Sequence, residues 1–149
     1  MTERWFPDEM PAPAVNAETA GWWDAAAAHR LVVQRCTACG RVRHPPGPVC
    51  PDCRSADAEW AALAGTGTVY TYTVVRQAFL AALADRLPYA VVVVELDGAP
   101  GVRLVSNLVG IEPEEIEVGM AVDLVWEDMG PELAVPRFVA AGPAAQGAS

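Results

Sequence analysis

Cys36-Thr37-Ala38-Cys39 and Cys50-Pro51-Asp52-Cys53 hold all four cysteines of the chain. Two C-x-x-C pairs joined by a short loop have the spacing of a zinc ribbon. Each pair forms a tight knuckle whose sulfurs reach one ion, and four thiolates close a tetrahedron. Gly40 follows the first pair, where the chain turns away and a Cβ is awkward. Pro45, Pro46 and Pro48 stiffen the intervening loop. With four protein ligands the metal keeps no position for a substrate, so the site is structural rather than catalytic. A rubredoxin-type iron site uses the same ligands, and the spacing leaves both metals open. Disulfides are disfavoured by the knuckle spacing and the lack of a signal peptide. A redox C-x-x-C would be one pair on a βαβ pattern, which is absent.

The rest of the composition bounds what surrounds this centre. At 149 residues the chain suits one domain or two small ones, and 52% hydrophobic residues allow a real core. The most apolar stretch, Tyr89 to Val94, is far shorter than the roughly 20 residues of a membrane span. Arg4, Asp8 and Glu9 interrupt the start, and the expectation is a soluble, cytoplasmic protein. All ten basic residues are arginine, and the formal net charge is −9. That balance argues against polyanion binding, which needs a positive field. Arg35, Arg41 and Arg43 around the cysteines form a local exception.

Taken in order, residues 1–30 read as an arm and a helix. Pro7, Pro11 and Pro13 keep residues 1–16 extended, an arm that orders against a partner. Helix follows from Glu18 to His29, capped by Asn16 or Thr19. Trp22 and Trp23 are adjacent, so one packs on the domain and the other is left for another surface. Residues 31–58 are the ribbon, with a strand from Leu31 to Arg35 and a return at Arg41 to Arg43; His44 reads as a surface residue. Residues 59–142 carry short strands at Val69–Val75, Tyr89–Leu96, Val102–Val109, Ala121–Glu127 and Pro136–Ala140. Tyr70, Tyr72 and Val74 share one face of the first, and the β-branched second reads as buried on both faces. Phe79 lies in a loop or short helix between those two strands. Residues 143–149 read as a disordered tail. The fold class expected is mostly β: an N-terminal helix, a zinc ribbon and an OB-fold Greek-key barrel.

The ordered set of motifs resembles a known family over about residues 20–140. The matching stretches are Trp22-Trp23, Leu31 through Cys36, Cys39-Gly40, Pro45-Pro46, Cys50-Pro51 and Cys53. They continue through Glu59-Trp60, Gly65 to Val75, Pro88-Tyr89, Val94-Glu95-Leu96, Gly119-Met120, Val122, and Pro136 with Phe138. These are similar to the acyl-CoA-associated proteins with a rubredoxin-like zinc ribbon and a C-terminal OB-fold, long catalogued as a domain of unknown function. The resemblance implies structural zinc on Cys36, Cys39, Cys50 and Cys53. It also implies a separate thiolase-like or hydratase chain as partner, and CoA or acyl-CoA shared with it.

The function expected is a non-catalytic accessory subunit. It stabilises a thiolase, or an aldolase of steroid or fatty acyl-CoA side-chain breakdown, and helps enclose the acyl-CoA. Trp22, Trp23 and Phe79 offer apolar docking surface, and Arg35, Arg41 and Arg43 suit CoA phosphates. One alternative is a nucleic-acid module, since ribbons and OB barrels both serve that purpose, with Tyr70 and Tyr72 as stacking platforms. Net charge opposes it. The other is a stand-alone acyl-CoA enzyme. Against it, no thiolate is free, and the Glu112–Glu117 charge run reads as a solvated loop.

Overall fold

A computed structural model describes residues 4–142; the tail at 143–149 lies outside the described residues. The helix α1 runs over Ala20–Ala27, shorter than its sequence suggests at both ends. Before it, the Asn16 carboxamide accepts from the Thr19 N–H, and the Thr19 hydroxyl accepts from the Asn16 N–H. At its end the Arg30 N–H reaches the Ala25 carbonyl and the His29 N–H reaches that of Ala26. This pair of bonds closes a helix through a left-handed residue, here His29 at φ 57° where glycine is usual. The imidazole anchors the turn: Nε2 lies 2.6 Å from Asp128 Oδ1 and the ring stacks on Trp126.

Three strands form the ribbon sheet in the order β2-β1-β3, with β1 Val32–Cys36, β2 Val42–Arg43 and β3 Ala58–Ala62. The third strand pairs antiparallel with β1 along its whole length, Val32 opposite Ala62 and Cys36 opposite Ala58. Ala58-Glu59-Trp60-Ala61-Ala62 has no period-2 alternation that would mark it as a strand. It is an exposed edge strand with little to hide, which removes the signal. The indole of Trp60 lies over Gly21 of α1, where a Cβ would fall 2.5 Å from Nε1. Only a bare backbone lets helix and ribbon approach there.

The remaining strands close a five-stranded barrel in the order β4-β5-β6-β8-β7. Their ranges are β4 Thr66–Val75, β5 Tyr89–Leu96, β6 Arg103–Leu108, β7 Ala121–Asp128 and β8 Ala134–Ala140. β6 meets β8 in parallel and the other neighbours are antiparallel, so the barrel is a Greek key of OB type. Val69, Val92, Val94, Val122 and Phe138 fill it, each 1% exposed or less. Gly67 sits where β4 pairs with both β5 and β7, and a Cβ there would meet the Glu95 carbonyl and Val94 at 2.5 Å.

Two features differ from simple alternation. The register of β4 against β5 slips between Val69 and Thr71. The bulge turns Tyr70 outward while Tyr72 packs on the core, so these tyrosines do not share a face. In β5, burial alternates residue by residue, with Ala90, Val92, Val94 and Leu96 inward and the others half-covered. Valine at both sets of positions reflects strand propensity more than two-sided burial.

Candidate functional site

The four cysteine sulfurs all lie within 4.8 Å of one another, with Cys36–Cys53 and Cys39–Cys50 each 3.6 Å apart. A tetrahedron with metal–sulfur bonds of about 2.3 Å has edges of about 3.8 Å, so the cluster fits a four-thiolate zinc centre. The knuckles are built alike. The Gly40 N–H donates to the Cys36 carbonyl and the Arg54 N–H to that of Cys50, both at 2.9 Å. The Cys36 N–H then reaches the Arg41 carbonyl, as the Cys50 N–H reaches that of Ser55. In each knuckle the residue after the second cysteine is left-handed: Gly40 at φ 81° and Arg54 at φ 65°.

Backbone N–H groups aim at the sulfurs. Those of Cys39 and Ala38, against the opposing effect of burial, bring the Cys36 thiol down to about 6. The N–H groups of Cys53 and Asp52 lower Cys50 in the same way. Cys39 receives the Arg41 N–H, which lowers it, yet the neighbouring Cys50 thiol pushes it up to about 12. Cys53 receives the Ser55 N–H, and the Cys36 thiol raises it against that. Backbone N–H groups thus favour the thiolate at all four positions, and a dication at the centre would offset the mutual repulsion of four such charges.

The other residues singled out from sequence do not converge. Arg35 reaches Glu59 Oε1 through Nε at 2.8 Å and Nη2 at 2.6 Å, tying β1 to β3. Arg41 pairs with Asp52 across the two knuckles at 2.6 Å, and that carboxylate raises its pKa. Arg43 is buried, with Nη2 on the Gly47 carbonyl at 3.3 Å and Nε and Nη1 unpartnered. Trp22 is buried and meets Trp23 edge to face at 4.8 Å. Trp23 is also partly packed on the core, and both line a cleft of about 310 Å³ with Pro45, Pro46, Leu104 and Pro136. His44 lines it too, half-buried and 5.7 Å from the Trp22 ring rather than fully exposed; burial lowers its pKa. Phe79 belongs to neither, 87% exposed at the start of the loop that leads to a 3-10 turn at Ala81–Arg86.

From Arg4 onward the extended arm is described, and at Trp5 and Phe6 it docks on the chain itself. Both N–H groups of Trp5 and Phe6 point to the Glu127 carboxylate, and the Phe6 ring stacks on Arg137. No local sequence signal marks Glu127 or Arg137, since the bond to Trp5 spans 122 residues. Among the described residues, no helix is long and apolar enough to cross a membrane.

Comparison with known proteins covers both halves of this architecture. Residues 23–59 match the family model of the ChsH2 rubredoxin-like zinc ribbon domain, and residues 60–127 that of the ChsH2 C-terminal OB-fold domain. A probable enoyl-CoA hydratase alpha subunit of Thermomonospora curvata is 50% identical over 133 residues, 89% of this chain and 40% of that protein. The 3-oxo-4,17-pregnadiene-20-carboxyl-CoA hydratase alpha subunit of Mycobacterium tuberculosis is 33% identical over 82% of this chain and 38% of its own length. This chain thus spans about two-fifths of the hydratase subunits it matches. A DUF35 domain-containing scaffold protein of Methanocaldococcus jannaschii is 36% identical over 64% of this chain and 67% of its own. Among solved structures, a chain of the Ltp2-ChsH2(DUF35) aldolase superposes with a TM-score of 0.79 at 48% identity. The match covers 88% of this chain and 100% of that one.

Proposed function

The chain belongs to the DUF35 family, in the form that joins a ChsH2-type zinc ribbon to an OB fold, and on that premise we propose that it is a non-catalytic accessory subunit of an acyl-CoA enzyme complex. Its partner in this reading is a separate thiolase-like or hydratase chain. That partner is a thiolase, or an aldolase of steroid or fatty acyl-CoA side-chain breakdown, working in the cytoplasm. The observation that carries the reading is the 48% identity to a chain of the Ltp2-ChsH2(DUF35) aldolase over that chain's full length.

Several physical features support it. The ribbon's metal is structural zinc, held by four thiolates whose backbone N–H bonds already favour charge. Phe79 and Leu80 put adjacent apolar side chains into solvent, a feature typical of interfaces. Trp22 and Trp23 would act through the cleft they line rather than through a flat face. Arg35 and Arg41 sit in exposed ion pairs of a kind worth about 0–1 kcal/mol each. Exchange of their carboxylates for CoA phosphates would therefore cost little. Arg43 would hold the loop at Gly47 from beneath.

The test is affinity purification of the tagged chain from its native host, with metal assayed on the same sample. The expected result is a thiolase-fold or hydratase chain in near-equal amount, with about one zinc per copy. Phe79→Asp should reduce recovery of that partner while zinc content is kept. Chelation should unfold the ribbon and release the partner. Turnover of an acyl-CoA by the purified chain alone would overturn the reading, as would full partner recovery from a folded, metal-free Cys50→Ser variant.

A further inference from the structure

We infer that the barrel carries a recognition site for an extended peptide with two adjacent aromatic residues, which the chain's own Trp5-Phe6 fills in cis. The site is built from residues that the metal centre does not use. Glu127 and Arg137 are 8% and 5% exposed, a buried pair joined at 3.2 Å. The Glu127 carboxylate takes one consecutive backbone N–H on each oxygen, Trp5 on Oε1 and Phe6 on Oε2. The Arg137 guanidinium lies 4.0 Å from the Phe6 ring centre and 5.4 Å from that of Trp5. Arg86 donates from Nε to the Trp5 carbonyl at 2.7 Å, and Tyr89 meets the Trp5 ring edge to face at 5.2 Å.

Each contact reads a different property of the ligand. The carboxylate asks for two neighbouring N–H donors, which excludes proline at either position. Arg137 asks for aromatic faces, which the cation–π attraction and the low exposure reward. Arg86 asks for a carbonyl between them. The four residues come from β7, β8, the start of β5 and the turn before it, so they assemble only in the closed barrel. OB folds in general bind their ligands around the first and last strand-connecting loops. Here those loops are 76–88, which contains Arg86, and 129–133, which follows Glu127 and Asp128. The site therefore lies where this architecture offers a binding surface, with its own arm as occupant. Because Arg86 ends the turn that follows Phe79 and Leu80, the arm also fixes the loop that presents them.

The test uses the full-length chain with Trp5→Ala and Phe6→Ala together, and a fluorescent peptide of residues 4–13 added in trans. Fluorescence anisotropy should give saturable binding to the double variant at least about tenfold tighter than to the wild type, whose site is filled at high effective concentration. A peptide with both aromatics replaced by alanine should not bind. Hydrogen exchange on the wild-type chain should show the Trp5 and Phe6 amides slower than that of Asp8, whose side chain lies in solvent. Any of three results would overturn the inference: no binding to the double variant at millimolar peptide, equal binding of the alanine peptide, or unprotected Trp5 and Phe6 amides. None of these readouts involves a partner enzyme, so they leave the accessory-subunit reading untouched.

Discussion

The two zinc knuckles are an internal comparison, because one left-handed position holds Gly40 and the other holds Arg54. A residue with a Cβ in that backbone region costs about 1–2 kcal/mol. Glycine takes back about 0.5–1 kcal/mol through its greater freedom in the unfolded chain. Replacing Arg54 by glycine should therefore stabilise the folded knuckle by about 0.5–1 kcal/mol net. Metal binding draws on folding of the same segment, so the gain appears as about two- to fivefold tighter zinc. Removing the guanidinium also removes a cation near the thiolates, which acts in the opposite direction. Arg54→Ala keeps the strained backbone and loses the same charge, so the comparison of Arg54→Gly with Arg54→Ala isolates the backbone. Gly40→Ala makes the reverse change with nothing within 4 Å of the new Cβ, and should weaken zinc by a similar factor. Competition against a chromophoric chelator reads all four proteins. Arg54→Gly binding zinc no tighter than Arg54→Ala, with Gly40→Ala equal to wild type, would refute the reasoning.

Phe138 is 0% exposed at the centre of the barrel, and Phe138→Ala should destabilise the chain by about 3–5 kcal/mol, read as a lower urea midpoint. A loss under about 1 kcal/mol would mean that the barrel core collapses around the vacancy. Burial lowers the His44 pKa from its usual 6.5, so the unfolded chain binds that proton first as pH falls. Stability from this group is thus complete above about pH 6.5, declines as pH falls toward the folded-state value, and levels below it. His44→Gln should lose that component, and wild-type and variant melting curves measured from pH 8 to 5 should converge or diverge across that window. A constant difference would place His44 in water.

What the sequence made legible is what spacing alone dictates. Four thiolates must surround a structural metal, and the two C-x-x-C pairs say so without further context. The five barrel strands were legible because β-branched runs sit between turn residues, although their ends moved by a few positions. The bulge at Tyr70 was not, since a one-residue register slip leaves no mark on an otherwise regular Tyr-Thr alternation. Likewise β3 hides little surface, so burial imposed no pattern on it. His44 read as a surface residue because four thiolates already complete the metal site, and its packing on Trp22 depends on how the ribbon loop folds over α1. The aromatic seat was the least accessible, being made by residues far apart in sequence.

The chain order of these parts also sets an order of assembly. The ribbon needs nothing beyond Ala62 to pair its strands and collect its ligands. The barrel cannot close until β7 reaches β4, and its parallel seam waits for Phe138. During synthesis, then, the metal centre can be complete while more than half of the barrel has yet to leave the ribosome. α1 rests partly on β8, and the arm on Glu127 and Arg137, so both must wait for the last strand. Trp5 and Phe6 precede every one of these strands in the chain and are thus among the last of its residues to find their place. Until then they remain open to whatever else presents a buried carboxylate and a flat cation.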